Sequence, residues 1–159
     1  GSAGVASGGR HDLGAQGFVN QGLALNVWKI AMRPGKPLIF GRFGSGLFLG
    51  LPGNPVSSMI LALLVLRPMM RAMMGLSPDL PRQAARLSHA LPANDQRRDF
   101  IRARRLPDGS IDAQARQDSS MLTTLLAADV LVDRPAHDSA LPAGATVQVI
   151  DLRSLGADF

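Results

Sequence analysis

No cysteine occurs anywhere in the 159 residues. That excludes disulfides, thiolate metal sites and a cysteine nucleophile, and it fits a reducing compartment. Aromatic side chains are scarce, at 4 %, so aliphatic and methionine side chains must fill any core. Acidic residues are in deficit: 12 Asp and Glu stand against 17 Lys and Arg, for a formal charge of +5. Such a balance attracts nucleic acid, acidic membranes or small phosphorylated molecules alike and does not choose among them. Long hydrophobic runs are missing too. The longest, residues 59–66, ends at Arg67-Pro68, well short of the roughly 20 residues that span a bilayer. At the N-terminus no basic region leads into an apolar stretch, so no signal peptide is expected. The expectation is a soluble, cytoplasmic protein. With 46 % hydrophobic residues, one ordinary domain or two small ones can form.

The first ten residues, rich in Gly, Ala and Ser, read as a loop. A weak helix is expected over residues 13–23, then a strand over residues 25–32, where apolar and polar residues alternate. Arg33-Pro34-Gly35-Lys36-Pro37 breaks it. Two more strands, residues 38–42 and 46–51, are joined by a turn at Phe43-Gly44-Ser45. Asn54 is a good N-cap and Pro55 fits the first helical position, so a helix should run from Val56 to about Met74, with Gly75 as its stop. Being apolar nearly all round from Met59 to Leu66, it should be buried. The methionines at 59, 69, 70, 73 and 74 read as core or dimer packing.

After the linker at residues 76–81 the pattern changes. Strand-like runs fall at residues 83–90, 97–106, 110–115, 130–133 and 146–152, with a turn at Pro107-Asp108-Gly109 and a short helix over residues 120–127. Several short strands around one short helix suggest a small β-barrel or sandwich. The division is therefore 1–75, 76–153 and a tail, 154–159.

Three loops carry anion-binding chemistry. In residues 4–9, successive glycines leave backbone N–H groups available, Ser7 adds a hydroxyl, and the carboxylate of Asp12 follows. Arg33-Pro34-Gly35-Lys36-Pro37 is a stiff turn with two cations. Residues 50–58, Gly-Leu-Pro-Gly-Asn-Pro-Val-Ser-Ser, deliver a helix N-terminus directly after a strand. Taken singly, each has a plainer reading, as a loose tail, solvated charges or an ordinary helix start. Their order and spacing carry the weight. In an open α/β sheet, loops at the carboxyl ends of strands meet in one crevice.

That ordered set resembles the molybdopterin molybdenumtransferase family (MoeA and the E domain of gephyrin). Residues 28–37, Trp-Lys-Ile-Ala-Met-Arg-Pro-Gly-Lys-Pro, and residues 50–57, Gly-Leu-Pro-Gly-Asn-Pro-Val-Ser, match its paired motifs closely. Residues 4–12 are similar to its glycine-rich loop, with Val5 in place of a glycine and Arg10 where an acidic residue is common. Similarity continues more loosely at residues 97–102, at Ser119-Ser120-Met121-Leu122 and at residues 144–149.

The resemblance implies an α/β fold: part of a molybdopterin-binding, MogA-like three-layer domain followed by a small C-terminal β-barrel. It implies a C-terminal fragment, lacking the family's two N-terminal domains and the opening strands of this one. It also implies insertion of molybdate into adenylylated molybdopterin with release of AMP, aided by Mg2+. Arg33, Lys36 and Ser57 would meet oxyanion and phosphate groups, with Ser7 and Gly8 as further contacts. Asp12 would hold the metal. Pro34 and Gly35 would shape one loop, and Pro52, Gly53, Asn54 and Pro55 the other; Lys29 is a further candidate, whose plainer reading is a strand position facing solvent. A homodimer and handover from molybdopterin adenylyltransferase would be the partners' side of the same picture.

Rival readings are the adenylyltransferase itself, a CinA-like protein of the same fold, and a non-catalytic binding or dimerisation module. His11, His89 and His137 lack metal-ligand spacing. The arginines at 97, 98, 102, 104 and 105 have no aromatic interleaving and read as a solvated strand face rather than a nucleic-acid site. Neither nucleic acid nor membrane is expected as a partner.

Overall fold

The computed structural model describes residues 24–28, 30–35, 38–113 and 127–156. Three strands, β1 (Ala24–Trp28), β3 (Leu38–Phe43) and β4 (Gly46–Gly50), form an antiparallel sheet in the order β1-β3-β4. The single strand expected over residues 25–32 is split. β1 ends at Trp28, and β2 (Met32–Arg33) joins a second sheet, pairing parallel with β6 (Arg98–Arg105) through Met32↔Arg98 and Arg33↔Asp99. Alternation continues through this stretch, so periodicity alone could not locate the break.

A helix follows β4. Its first part, α1 (Pro55–Leu61), is capped by Asn54, whose side-chain oxygen accepts from the Ser57 N–H at 3.0 Å. A π-helical turn, Ala62–Leu66, leads into α2 (Arg67–Met73). Pro68 explains the wider turn: it has no N–H, and its ring crowds the carbonyl one turn earlier. The Arg67 N–H reaches back to the Ala62 carbonyl, five residues away. The end is closed at Gly75 (φ 72°), where the Leu76 N–H bonds to the Arg71 carbonyl at 2.8 Å.

The helix departs from expectation in burial. Only Val56, Ser57, Ile60 and Leu61 are buried, while Met70, Met73 and Met74 are exposed. By length and composition Pro55–Met73 could cross a bilayer. Its first turns are instead built into a protein core, and its second half carries Arg67 and Arg71.

The second sheet has six strands: β2, β5 (Arg82–Arg86), β6 (Arg98–Arg105), β7 (Ile111–Ala113), β8 (Val130–Arg134) and β9 (Thr146–Asp151), in the order β2-β6-β8-β9-β5 with β7 on β6. A bridge between Leu87 and Ile111 links the continuation of β5 to β7, so the pairings return on themselves. Residues one apart on a strand point to opposite faces. Ile101, Ala103, Val130, Val132, Val147 and Val149 gather on one face of this sheet with Leu87 and Ile111. Phe100, Leu131 and Ile150 point the other way and pack with Met32, Leu38, Val56, Ile60 and Leu61. The helix therefore lies on the outer face of the second sheet, and the two halves of the chain share a core. Fully burying each such aliphatic side chain contributes about 1.5–3 kcal/mol.

Candidate anion-binding site

The helix start is built by its own sequence. Pro52 is buried, Ser58 donates its hydroxyl hydrogen bond to the Pro52 carbonyl, and the Ser58 N–H bonds to the Asn54 carbonyl at 2.9 Å. Pro55 has no N–H, and that of Ser57 goes to the N-cap side chain. Of the donors expected to face an anion, most are thus used within the turn. What remains is the positive end of the helix dipole, with Gly53 and Pro55 exposed in front of it and Ser57 buried behind.

The turn after β2 approaches this helix. Arg33-Pro34 is a cis peptide bond, and Gly35 has φ 136°, a region that side chains disfavour. An added Cβ at Gly35 would lie 3.0–3.2 Å from three side-chain carbons of Leu61. The second expected loop therefore meets the helix that the third one opens, at Leu61, the last residue of α1.

Arg33 is not the free cation that was expected. Its Nη2 donates to the side-chain oxygen of Asn94 at 3.1 Å and lies 3.0 Å from a carboxylate oxygen of Asp99; Nη1 is 3.6 Å from Asp95. Its Nε is buried, with no hydrogen-bond partner among the described residues. Around this cluster, Arg97 holds Asp95 at 2.8 Å. Hydrogen bonds from the Arg97 side chain and backbone bring the Asp95 carboxyl down to about 2. Burial pushes the Asp99 carboxyl up, and the attraction of Arg33 and Arg134 does not offset it. Asn94, Asp95 and Asp99 were missed in the sequence. They sit some sixty residues from Arg33 and carry no local pattern that names it as their partner.

Ser7, Gly8, Asp12, Lys29, Lys36 and His11 lie outside the described residues, as do the expected helix over residues 13–23 and all but the last residue of that over residues 120–127. The magnesium expectation rests on Asp12. Among the described residues no group of three His, Asp or Glu side chains could hold a metal, so they do not by themselves make a magnesium site. A shallow cavity of about 320 Å³, lined by Arg86, Leu87, Ser88, Asp108, Ser110 and Gly144, lies on the second sheet and shares no residue with this site.

The arginine-rich strand also differs from expectation. Arg102 is buried, at 2 % exposure. Arg98 and Arg82 close on the buried carboxylate of Asp133 at 2.6 and 2.9 Å, and Arg98 lies 5.5 Å from the ring centre of Phe100. Burial drives the Asp133 carboxyl up, but hydrogen bonds from Arg98 and Arg82 outweigh it and hold the carboxyl below its ordinary range. Arg105 pairs with Asp151 at 3.2 Å. This is an ion-pair network more than a solvated face.

Residues 84–152 match the family model described as the MoeA C-terminal region, domain IV, so the second half of the chain belongs to that class of domain. The chain as a whole is related to the molybdopterin molybdenumtransferases. It is 35 % identical over 128 residues to molybdopterin molybdenumtransferase 2 of Mycobacterium tuberculosis (strain H37Rv), covering 78 % of this chain and 31 % of that one. A molybdopterin molybdenumtransferase of Synechococcus elongatus is 33 % identical over 132 residues, with the same coverage of each chain. The crystal structure of a molybdopterin biosynthesis MoeA protein from Pyrococcus horikosii superposes with a TM-score of 0.73 at 27 % identity, over 94 % of this chain and 36 % of that one. The chain thus spans about a third of the length of these relatives.

Proposed function

We propose that the chain is part of a molybdopterin molybdenumtransferase, and that the whole protein transfers molybdate into adenylylated molybdopterin with release of AMP. The observation that carries this reading is the contact of Gly35 with Leu61, which brings the Arg33–Gly35 turn against the helix begun by Asn54-Pro55. A turn that leads into Lys36 and packs on the helix opened by Asn54-Pro55 suits a substrate that is anionic at both its phosphates and its incoming oxometalate. Lys36 follows this turn directly and is the residue we assign to the anion. Ser57, Pro52, Gly53, Asn54 and Pro55 shape and support the loop; Ser7, Gly8 and Asp12 would close the site from the glycine-rich segment. Asp12 would hold Mg2+, a hard cation that prefers oxygen ligands. Residues 1–75 would complete a MogA-like layered domain and residues 76–153 a small β-barrel. The whole protein would work as a cytoplasmic homodimer that takes its substrate from the adenylyltransferase.

The test is molybdate-dependent AMP release from adenylylated molybdopterin by the full-length protein, with and without Lys36→Ala. Loss of release in the variant is the expected result. ATP-dependent adenylylation of molybdopterin by the same protein would instead assign it to the adenylyltransferases.

A further inference from the structure

Arg33 sits in the motif that resembles a phosphate-binding turn, yet its guanidinium is turned toward the second half of the chain. Three groups there, Asn94, Asp95 and Asp99, take its terminal nitrogens, at 3.1, 3.6 and 3.0 Å. Nε is buried, and the exposed part of the side chain, 40 % of it, lies beside the carboxylate of Asp95, which would repel an incoming anion. The backbone is fastened at the same point. β2 pairs with β6 in the register Arg33↔Asp99, and the Arg98 N–H bonds to the Ala31 carbonyl at 2.9 Å. Two residues further on, Gly35 lies against Leu61. Strand pairing, guanidinium clamp and helix contact are consecutive along five residues.

We propose that Asp99, with Asn94 beside it, is a positioning residue that clamps Arg33 and so fixes the Arg33–Gly35 turn against α1, making Arg33 a strut of the anion site and not its ligand. This rests on the reading that the turn borders that site. The burial of Asp99 separates a positioning role from simple stabilisation. The Asp99 side chain is mostly buried, at 17 % exposure, and losing its charge relieves the cost of keeping it from water. Desolvation of Asp99 offsets much of the attraction within this half-buried pair, so the pair adds little net stability. The charged groups that face Asp99 come from every side of the cluster: Arg33 on β2, Asp95 and Arg97 in the loop before β6, and Arg134 on β8.

The test uses the 159-residue protein and its Asp99→Asn, Asp99→Glu and Arg33→Lys variants, observed by NMR. The proposal expects the nuclear Overhauser contact between the Gly35 α-protons and the Leu61 methyls to weaken in Asp99→Asn and to persist in Asp99→Glu. Exchange of the Arg98 amide should quicken by roughly tenfold or more in Asp99→Asn, as the ion pair that pins the adjoining strand is lost. Dispersed amide signals from Val132 and Val149 establish that each variant is folded. Titration with inorganic pyrophosphate should perturb Ser57 and Ser58 amides in the wild type and do so more weakly in Asp99→Asn and Arg33→Lys. An unaltered Gly35–Leu61 contact in Asp99→Asn would overturn the proposal. So would tighter pyrophosphate binding in that variant, the signature of Arg33 freed to act as a ligand. If pyrophosphate perturbs nothing in the wild type, the anion-site reading fails, while the Gly35–Leu61 contact still decides whether Asp99 positions the turn.

Discussion

A methyl group of Leu61 lies 3.0 Å from where the β-carbon of any side chain at position 35 would stand. Gly35 also holds φ at 136°, so two independent constraints require glycine there. Gly35→Ala is expected to destabilise the protein by about 1–3 kcal/mol, from backbone strain combined with the overpacked contact. Urea unfolding of the two proteins checks it. Leu61→Ala, which alone removes a fully buried core side chain, should cost less in the Gly35→Ala background than in the wild type, because it relieves the overpacked contact and leaves the strain. Equal stability of Gly35→Ala and wild type would mean that the turn is not pressed against α1.

Asn54 governs the other half of the meeting. Its side chain accepts from the Ser57 N–H, which would otherwise be a buried orphan at the helix start. Asn54→Ala should cost about 1 kcal/mol, and Asn54→Ser or Asn54→Asp much less. Thermal unfolding is the measurement. If Ala and Ser variants lose equal stability, the capping bond contributes nothing.

The two halves of this site differed in how far the sequence disclosed them. Asn54-Pro55 and Gly75 mark helix ends by local chemistry, so the helix limits were legible within a residue or so. The strands of the second half were also legible, since Val130–Arg134 and Thr146–Asp151 follow turns and alternate faces. Arg33 was another matter. Its partners lie on a loop and strand brought beside it only by the β2–β6 pairing, and nothing near Arg33 in the chain announces a parallel two-residue strand. The exposed methionines follow the same logic. Composition says that a segment can be buried, but not how much surface is present to cover it.

Pro68 offers a third test. The π-helical turn at Ala62–Leu66 directly precedes it, and proline supplies no N–H to that part of the helix. Pro68→Ala returns the donor and removes the ring, so the segment should relax to regular α-helix and gain stability, by up to about 3 kcal/mol. Exchange protection of the residues 66–69 amides, with the urea midpoint, reports both. A lower midpoint in the variant would show that the wide turn is set by packing of α1 and not by proline.

The acid side of the stability profile should have two parts with opposite signs. The Asp95 carboxyl is lowered to about 2 and those of Asp108 and Asp133 are lowered too, all from an ordinary 3.8. Their contribution is present above pH 3.8 and is lost as pH falls through the lower folded values. Asp99 runs the other way. Its folded carboxyl is raised above 3.8 by burial, so its contribution is complete below 3.8 and is lost as pH rises through the raised value. Stability is therefore expected to hold or increase slightly as pH falls from neutrality toward about 4, then to decline. Asp99→Asn should abolish the first part and leave the decline, with neutral-pH stability equal to or slightly above that of the wild type. Urea midpoints measured from pH 7 to pH 3 for the two proteins test this. If the wild type loses stability steadily across the whole range and Asp99→Asn follows it in parallel, burial does not dominate the Asp99 carboxyl, and its bond to Arg33 is a stabilising pair.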